Sequence, residues 1–421
     1  MIETYFTAPR VLDRMRSGPM APYLDELAAE LQSHSYSRKS VRRQLRNADA
    51  FGRWLIKTGV RLAEITHSTL DSYVGKMHRT PCATRPRGWR PHNARGLPRL
   101  LVLLRARGII APPAPPAPLA PDSADGVLAA FDRYLEHDRG VVKSGRINYL
   151  GHARSLLKAV FGDEAPDWKR IGPQHVAEFV LKRAAGLALT CRKEPGRSLA
   201  AFLRYLVGQG LVQAGLNYAI PRIRQSKHAA LPRSLSVEDL NRVLATSCDK
   251  TLPGLRDRAM LVLLARLGLR AGEVLRLSLD DIDWRNGSLL VQAGKTRRER
   301  VLPLLPEVGD ALVAYLKKGR PSSSHRTIFL NQCAPHNPLT AAKTLTDLAK
   351  RALRSAGIDA HRPGAYVFRH TVATHMVRGG ASFKDVADVL GHRTLAVTGI
   401  YAKLDLVALA QVALPWPGGA Q

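Results

Sequence analysis

The sequence predicts a mainly α protein with a small β-sheet in its C-terminal part, an α+β chain, and three observations carry that expectation. Apolar residues recur at helical spacing through most of the chain up to Arg224. One stretch, "SLLVQAGKTRRERVLPL", instead alternates like two strands joined by a turn at 294–298. Between helical segments lies "APPAPPAPLAP", Ala111 to Pro121, which cannot hold a helix ladder because proline lacks the amide donor, and so runs as an extended spacer.

Taken in order, the first helical segment, residues 1–110, contains "VRRQLRNADAFGRWL", "EITHSTLDSYV" and "RLLVLLRARGII". The second, residues 122–225, contains "RINYLGHARSLLKAVF", "RIGPQHVAEFV" and "SLAAFLRYLVGQGLV". Each set runs from an amphipathic helix, through a corner that opens a second helix, to an apolar helix that closes on glycine, which reads either as a tandem repeat of small helical bundles or as the alignment that any two helical bundles of similar size would give. A break around Pro221 and Pro232 precedes a helix start at Ser236, where Asp239 follows three residues on as in a capping box. The expected domains are therefore 1–110, the linker 111–121, 122–225, a third domain 226–415 and a tail 416–421.

In the third domain "GLRDRAMLVLLARLGLRAGEVLRL" is helical with a break at Gly268, and "TIFLN" reads as a third short strand. "LTAAKTLTDLAKRALRSAGI" is a helix closed by Gly357. Gly379 and Gly380 stop the next helix, Ser382 with Asp385 caps another, Val386, Val389 and Leu390 form its buried stripe, and Gly391 ends it. That succession turns His392 back toward the helix of Arg369, and a short segment from Thr394 carries Tyr401 to the same cleft.

Composition narrows the function. With 421 residues, 45% hydrophobic and 23% charged, the chain can bury real cores. Lys and Arg number 64 against 34 Asp and Glu, a formal charge of +30, which favours a polyanionic partner. Apolar runs such as Leu100 to Leu104 fall far short of a bilayer crossing, so no membrane association is expected. The N-terminus lacks a basic start followed by an apolar core, and a cytoplasmic location is expected. Cys82, Cys191, Cys248 and Cys333 lie far apart with no C-x-x-C pair, so they read as packing thiols rather than metal ligands or disulfides. In "SRKSVRRQLR" the spacing sets Arg38, Arg42 and Arg46 along one helix face with Lys39 and Arg43 beside it, a row suited to phosphates although charged rows are often merely solvated.

Transferring a phosphodiester without a metal takes a nucleophile that can store the bond, fixed cations for the non-bridging oxygens and an acid for the leaving oxygen. Arginine is the preferred clamp, because its planar fork pairs with two phosphate oxygens and stays charged. The third domain supplies Arg270 in "GLRAGEVLRL", Lys295 at the turn, Arg369 in "YVFRHT", His392 in "LGHRT" and Tyr401 in "TGIYAK". Any one of these alone reads as a surface or packing residue. In order and spacing, over Ser236 to Leu414, the set resembles the tyrosine recombinase (phage integrase) family, whose signature is G-L-R-x-x-E, a hairpin lysine, H-x-x-R-H, L-G-H and a tyrosine nine residues later.

The resemblance implies that Tyr401 attacks a DNA phosphate, Arg270 and Arg369 hold the pentavalent phosphorane, His392 adds a hydrogen bond and Lys295 protonates the departing oxygen, with no metal or cofactor. Glu273, one turn from Arg270, is expected to orient it. Tyr366 stands where the family most often has histidine; a phenol can donate a hydrogen bond to phosphate but is a poor base, so it is kept as a contact. His370 sits next to Arg369 about a quarter-turn round the helix and is not expected to substitute. The implied partners are double-stranded DNA carrying a specific site and further copies of the chain, a tetramer at synapsis, with a second recombinase compatible; the apolar segment after Tyr401 would dock on a neighbour or fold back. Residues 122–225 would correspond to the family's core-binding domain, while residues 1–110 lie outside its minimal pattern. A type IB topoisomerase and an accessory DNA-binding protein that has lost activity remain open.

Overall fold

The computed structural model describes residues 1–79, 96–112, 120–223, 234–247, 250–293, 299–360 and 363–404. Two compact units emerge: Met1–Pro113 together with Ala230–Gln421, and Ala114–Ala229. No helix among the described residues is long and apolar enough to cross a membrane.

The first unit begins with helices α1 (Pro9–Arg16), α2 (Ala21–Ser33), α3 (Arg38–Thr58), α4 (His67–Arg79) and α5 (Leu97–Ala106). Ser37 caps α3 through its side chain, and Gly59, in the left-handed region at φ +72°, ends it. Leu24, Leu31, Leu45, Phe51, Leu100 and Leu104 share one core. Arg38, Lys39, Arg42 and Arg46 are exposed and Arg43 is half-buried. The guanidiniums of Arg42 and Arg46 lie over the Phe6 ring at 5.5 and 5.4 Å, which anchors part of the row without neutralising it.

The second unit holds α6 (Ala124–His137), α7 (Lys143–Phe161), α8 (Pro173–Ala185) and α9 (Glu194–Gly208) around Phe131, Leu157, Val176 and Phe202. Its element order matches that of α2 to α5, including a short 3-10 turn ahead of the third helix in each, Leu62–Glu64 and Trp168–Arg170.

The remainder of the first unit is α10 (Val237–Ala245), α11 (Leu252–Leu267), α12 (Ala271–Arg276), strands β1 (Ile282–Asp283), β2 (Ser288–Val291) and β3 (Arg300–Pro303), then α13 (Pro306–Ala314), α14 (Ala342–Ser355), α15 (Ala365–Arg378), α16 (Phe383–Leu390) and α17 (Leu395–Thr398). The run Ala259 to Ala265 in α11 is buried at every position, so this helix is the axis of the core, with α13, α14 and α15 against it. The sheet is antiparallel in the order β1-β2-β3, with Leu289 opposite Leu302 and Val291 opposite Arg300. Directly opposed residues share a face, so Arg300 lies on the face of the buried Leu302 and Val291.

Two expectations need correction. Thr327–Asn331 does not join the sheet: Thr327 and Leu330 make isolated bridges to Ser278 and Pro338, and the third strand is Ile282–Asp283. The apolar Ile328, Phe329 and Leu330 owe their pattern to burial in the helical core. Cys191 and Cys333 are exposed rather than packed. Cys82 and Cys248, the turn 294–298 with Lys295, most of the proline run and the segment beyond residue 404 lie outside the described residues.

Candidate active site

Arg270 owes its position to a helix break. Gly268 ends α11 in the left-handed region at φ +61°, and a side chain there would also press on Leu390 and Val372. The chain reverses, and Arg270 becomes the residue preceding α12. Glu273, in the first turn of α12, reaches back: its Oε2 accepts from the Arg270 backbone N–H at 3.0 Å and its Oε1 from Arg270 Nη1 at 2.7 Å.

The same carboxylate holds a second arginine absent from the expected set. Arg300 of β3 donates from Nη2 to Glu273 Oε2 at 2.8 Å and from Nε to the Val389 carbonyl at 2.8 Å. Burial alone would raise the Glu273 pKa, but the Arg300 guanidinium and the Arg270 donors outweigh it and hold the carboxyl at about 2. Glu273 is therefore ionised and keeps both forks fixed.

Arg369, on α15, is 1% exposed. Its guanidinium donates to the carbonyls of Gly268, at 3.0 Å, and Leu390. Arg270 also reaches this end of α16, with Nη2 3.2 Å from the Gly391 carbonyl. The C-terminal carbonyls of α16, the negative end of its dipole, thus collect all three guanidiniums. Gly391, at φ +61°, ends α16, and a β-carbon there would come within 2.7 Å of Arg300 Nη1. The glycine of "LGH" is thus required both by the turn and by the arginine beside it.

Among the described residues, Glu273 is the carboxylate that ion-pairs within this cluster of three guanidiniums, so the cluster carries an excess of positive charge. Burial and the charge of Arg270 push Arg369 down to about 10. Crowded cations of this kind cost folding energy and suit an anion that enters later.

His392 follows Gly391, is buried, and pairs through Nδ1 with Thr398 Oγ1 at 2.7 Å. Burial, then Arg369, Arg270 and Arg300, lower its pKa from 6.5 to about 4, so it is neutral at physiological pH. A base whose pKa is depressed on folding binds more protons unfolded, so its contribution to stability is intact above pH 6.5 and is lost as pH falls toward 4. Wild-type melting temperature should therefore fall more steeply across that window than that of His392→Asn. Parallel slopes in calorimetry would show that His392 does not titrate this way.

Tyr401 lies in the 3-10 turn Gly399–Leu404 after α17 and is 1% exposed, packed with Ala373, Val377, Val386 and Leu390. Its hydroxyl is 2.8 Å from Nδ1 of His370. Burial pushes the phenol pKa well up, with the nearby Tyr366 adding and Arg369 opposing, so the resting hydroxyl is protonated. Burial and Arg369 push His370 down. Tyr366 is 57% exposed, and its ring meets His370 edge-on with centroids 4.4 Å apart.

The structure thus gathers Arg270, Glu273, Arg369 and His392 around the end of α16, and it sets both Tyr401 and Tyr366 against His370. Lys295 is outside the described residues, and the row on α3 belongs to a separate core. His375, further along α15, meets the Leu235 carbonyl through Nε2 at 3.0 Å. Sequence reasoning missed Arg300, for which the strand alternation was the available signal. It also set His370 aside by measuring its angle from Arg369; measured from Tyr366, a four-residue spacing puts both on one helix face.

Residues 233–406 match the family model described as the phage integrase family. Over 418 residues the chain is 34% identical to the "Putative integrase/recombinase y4rA" of Sinorhizobium fredii, with 99% of each chain covered. It is 32% identical to the tyrosine recombinase XerD of Mycobacterium tuberculosis, over 68% of this chain and 95% of that protein. The chain belongs to the phage integrase family of tyrosine recombinases. Membership carries the coarse activity, site-specific DNA recombination. Among solved structures, the XerH site-specific recombinase in its post-cleavage complex with a palindromic difH substrate superposes with a TM-score of 0.54 at 21% identity, covering 82% of this chain and 94% of that one. That likeness speaks for the tyrosine recombinase fold, mainly helical with a small sheet.

Proposed function

We propose that this recombinase cuts and rejoins double-stranded DNA at a defined site through a 3'-phosphotyrosyl link on Tyr401, in the service of a mobile element. The observation that carries the reading is a buried phenol held by His370, the residue next to Arg369 on α15, beside the guanidinium cluster around Glu273. In the forward step the Tyr401 oxygen bonds to phosphorus as the bond from phosphorus to the 5'-oxygen breaks. Arg270 and Arg369 hold the non-bridging oxygens, His392 donates a hydrogen bond, and Lys295 gives the leaving oxygen its proton. Glu273 keeps Arg270 and Arg300 in register, and Tyr366 contacts the phosphate. One ester replaces another, so the step draws on no nucleotide hydrolysis. The freed 5'-hydroxyl of a partner duplex then attacks the phosphotyrosine and reverses the chemistry across strands.

The formal charge of +30 supports DNA as the partner, with residues 122–225 as the core-binding module and the exposed Arg38, Lys39, Arg42 and Arg46, with Arg43 beside them, as phosphate contacts that lengthen the footprint. Strand exchange between two duplexes takes four copies, so a tetramer at synapsis, in the cytoplasm, completes the reading. Incubating the full chain with a nicked substrate that traps the covalent state, then sequencing the DNA-linked peptide, should locate the adduct on residue 401. DNA binding without an adduct, or an adduct on another residue, would overturn it.

A further inference from the structure

We propose that His370 takes the proton from Tyr401, a role left open by the phenol that occupies position 366 in place of the family's usual histidine. The inference rests on the reading of Tyr401 as nucleophile. Three observations carry it. The Tyr401 hydroxyl lies 2.8 Å from His370 Nδ1, within direct proton-transfer distance, with the tyrosine buried in the core and the histidine partly buried beside it. Tyr366 and His370 stand one turn apart on α15, so the imidazole occupies the same helix face as the missing base. The Tyr366 ring packs edge-on against His370 with centroids 4.4 Å apart, a contact that favours one placement of the imidazole.

The charges around the pair suit the task. His370 is faced by Arg369 on its own helix and by the phenols of Tyr366 and Tyr401, with His392 near enough to feel its charge. Burial and Arg369 keep the imidazole neutral, which leaves a lone pair able to accept a proton. In the step itself the O–H bond of Tyr401 breaks and an N–H bond forms at Nδ1, while the phenolic oxygen bonds to phosphorus and the 5'-oxygen leaves with a proton from Lys295. The imidazolium so formed stands beside Arg369 and is disfavoured until a phosphate brings negative charge between them. The nucleophile is therefore not ionised in the empty site, and ionisation is coupled to DNA occupancy.

His370→Gln separates base from scaffold, because an amide oxygen can still accept the phenol's hydrogen bond but cannot carry the proton away. On the nicked substrate the initial rate of adduct formation should fall at least ~100-fold in the full-length variant, with DNA affinity and melting temperature near wild type. His370→Ala should recover at least ~10-fold with added imidazole, which should leave wild type unchanged, and Tyr366→His should restore part of the rate in the His370→Gln background. Cleavage by His370→Gln within about threefold of wild type would overturn the assignment, as would failure of both rescues. If the wild-type adduct maps to residue 401 and His370→Gln matches it, the base alone is wrong. If the wild type forms no adduct there, the nucleophile reading falls and this inference with it.

Discussion

Tyr401→Phe is expected to eliminate the covalent protein–DNA adduct completely while leaving the protein folded and able to bind DNA. The substitution removes one oxygen. The phenyl ring keeps its place among Ala373, Val377, Val386 and Leu390, so no cavity opens. The folded state loses the hydrogen bond to His370, a change of about 1 kcal/mol, and melting temperature should shift by only a few degrees. Chemistry changes far more, because the oxygen that forms the ester is gone. Gel shift, thermal melting and denaturing electrophoresis together separate these outcomes. An adduct surviving in Tyr401→Phe would mean that another residue attacks the phosphate, and the buried phenol would then be a packing element.

The second large effect falls on Arg369. Arg369→Met should lower the rate of adduct formation ~100- to 1,000-fold, equivalent to about 3 to 4 kcal/mol of lost transition-state stabilisation, as for removing a fixed donor from an anion-stabilising site. Stability should barely move. The methionine leaves the carbonyls of Gly268 and Leu390 short of a donor, which costs energy, but it also removes a buried cation held near Arg270 and Arg300. The two contributions oppose one another, and the apolar chain fills much of the same volume. Arg369→Lys should fold equally well and keep only part of the rate, since a point charge cannot serve two acceptors as a fork does. A collapse of the fold in Arg369→Met, with little added loss of rate in the fraction that remains native, would assign the guanidinium to structure rather than to catalysis.

Much of this architecture is legible in the sequence because local rules suffice for it. Gly268, Gly357 and Gly391 each take the left-handed backbone that ends a helix, as their positions after apolar runs predict. Ser236 and Ser382 cap their helices through the side chain, as the residues three positions later suggest. The buried stripe of α16 is nearly as read, with Ala387 fully buried and Val389 only partly so. "TIFLN" was misread because a short apolar run looks the same whether it is buried in a sheet or beneath helices. The exposed Cys191 and Cys333 show the weakness of inferring burial from residue type alone.

The sequence by itself determined which residues form the ordered set from Arg270 to Tyr401, where the helices stop between them, and that the chain carries a large positive charge. Spacing along one chain encodes these, since a cap or a turn depends on a few neighbouring residues. Only the tertiary structure decided that Arg300, thirty residues from Arg270, shares its carboxylate, and that Tyr401 rests against His370, thirty-one residues away. Both contacts are made across separate elements, and their geometry follows from how α12, α15, α16 and β3 pack together. No local periodicity records such packing, because it is the buried surface of the whole unit that holds those side chains within hydrogen-bond reach.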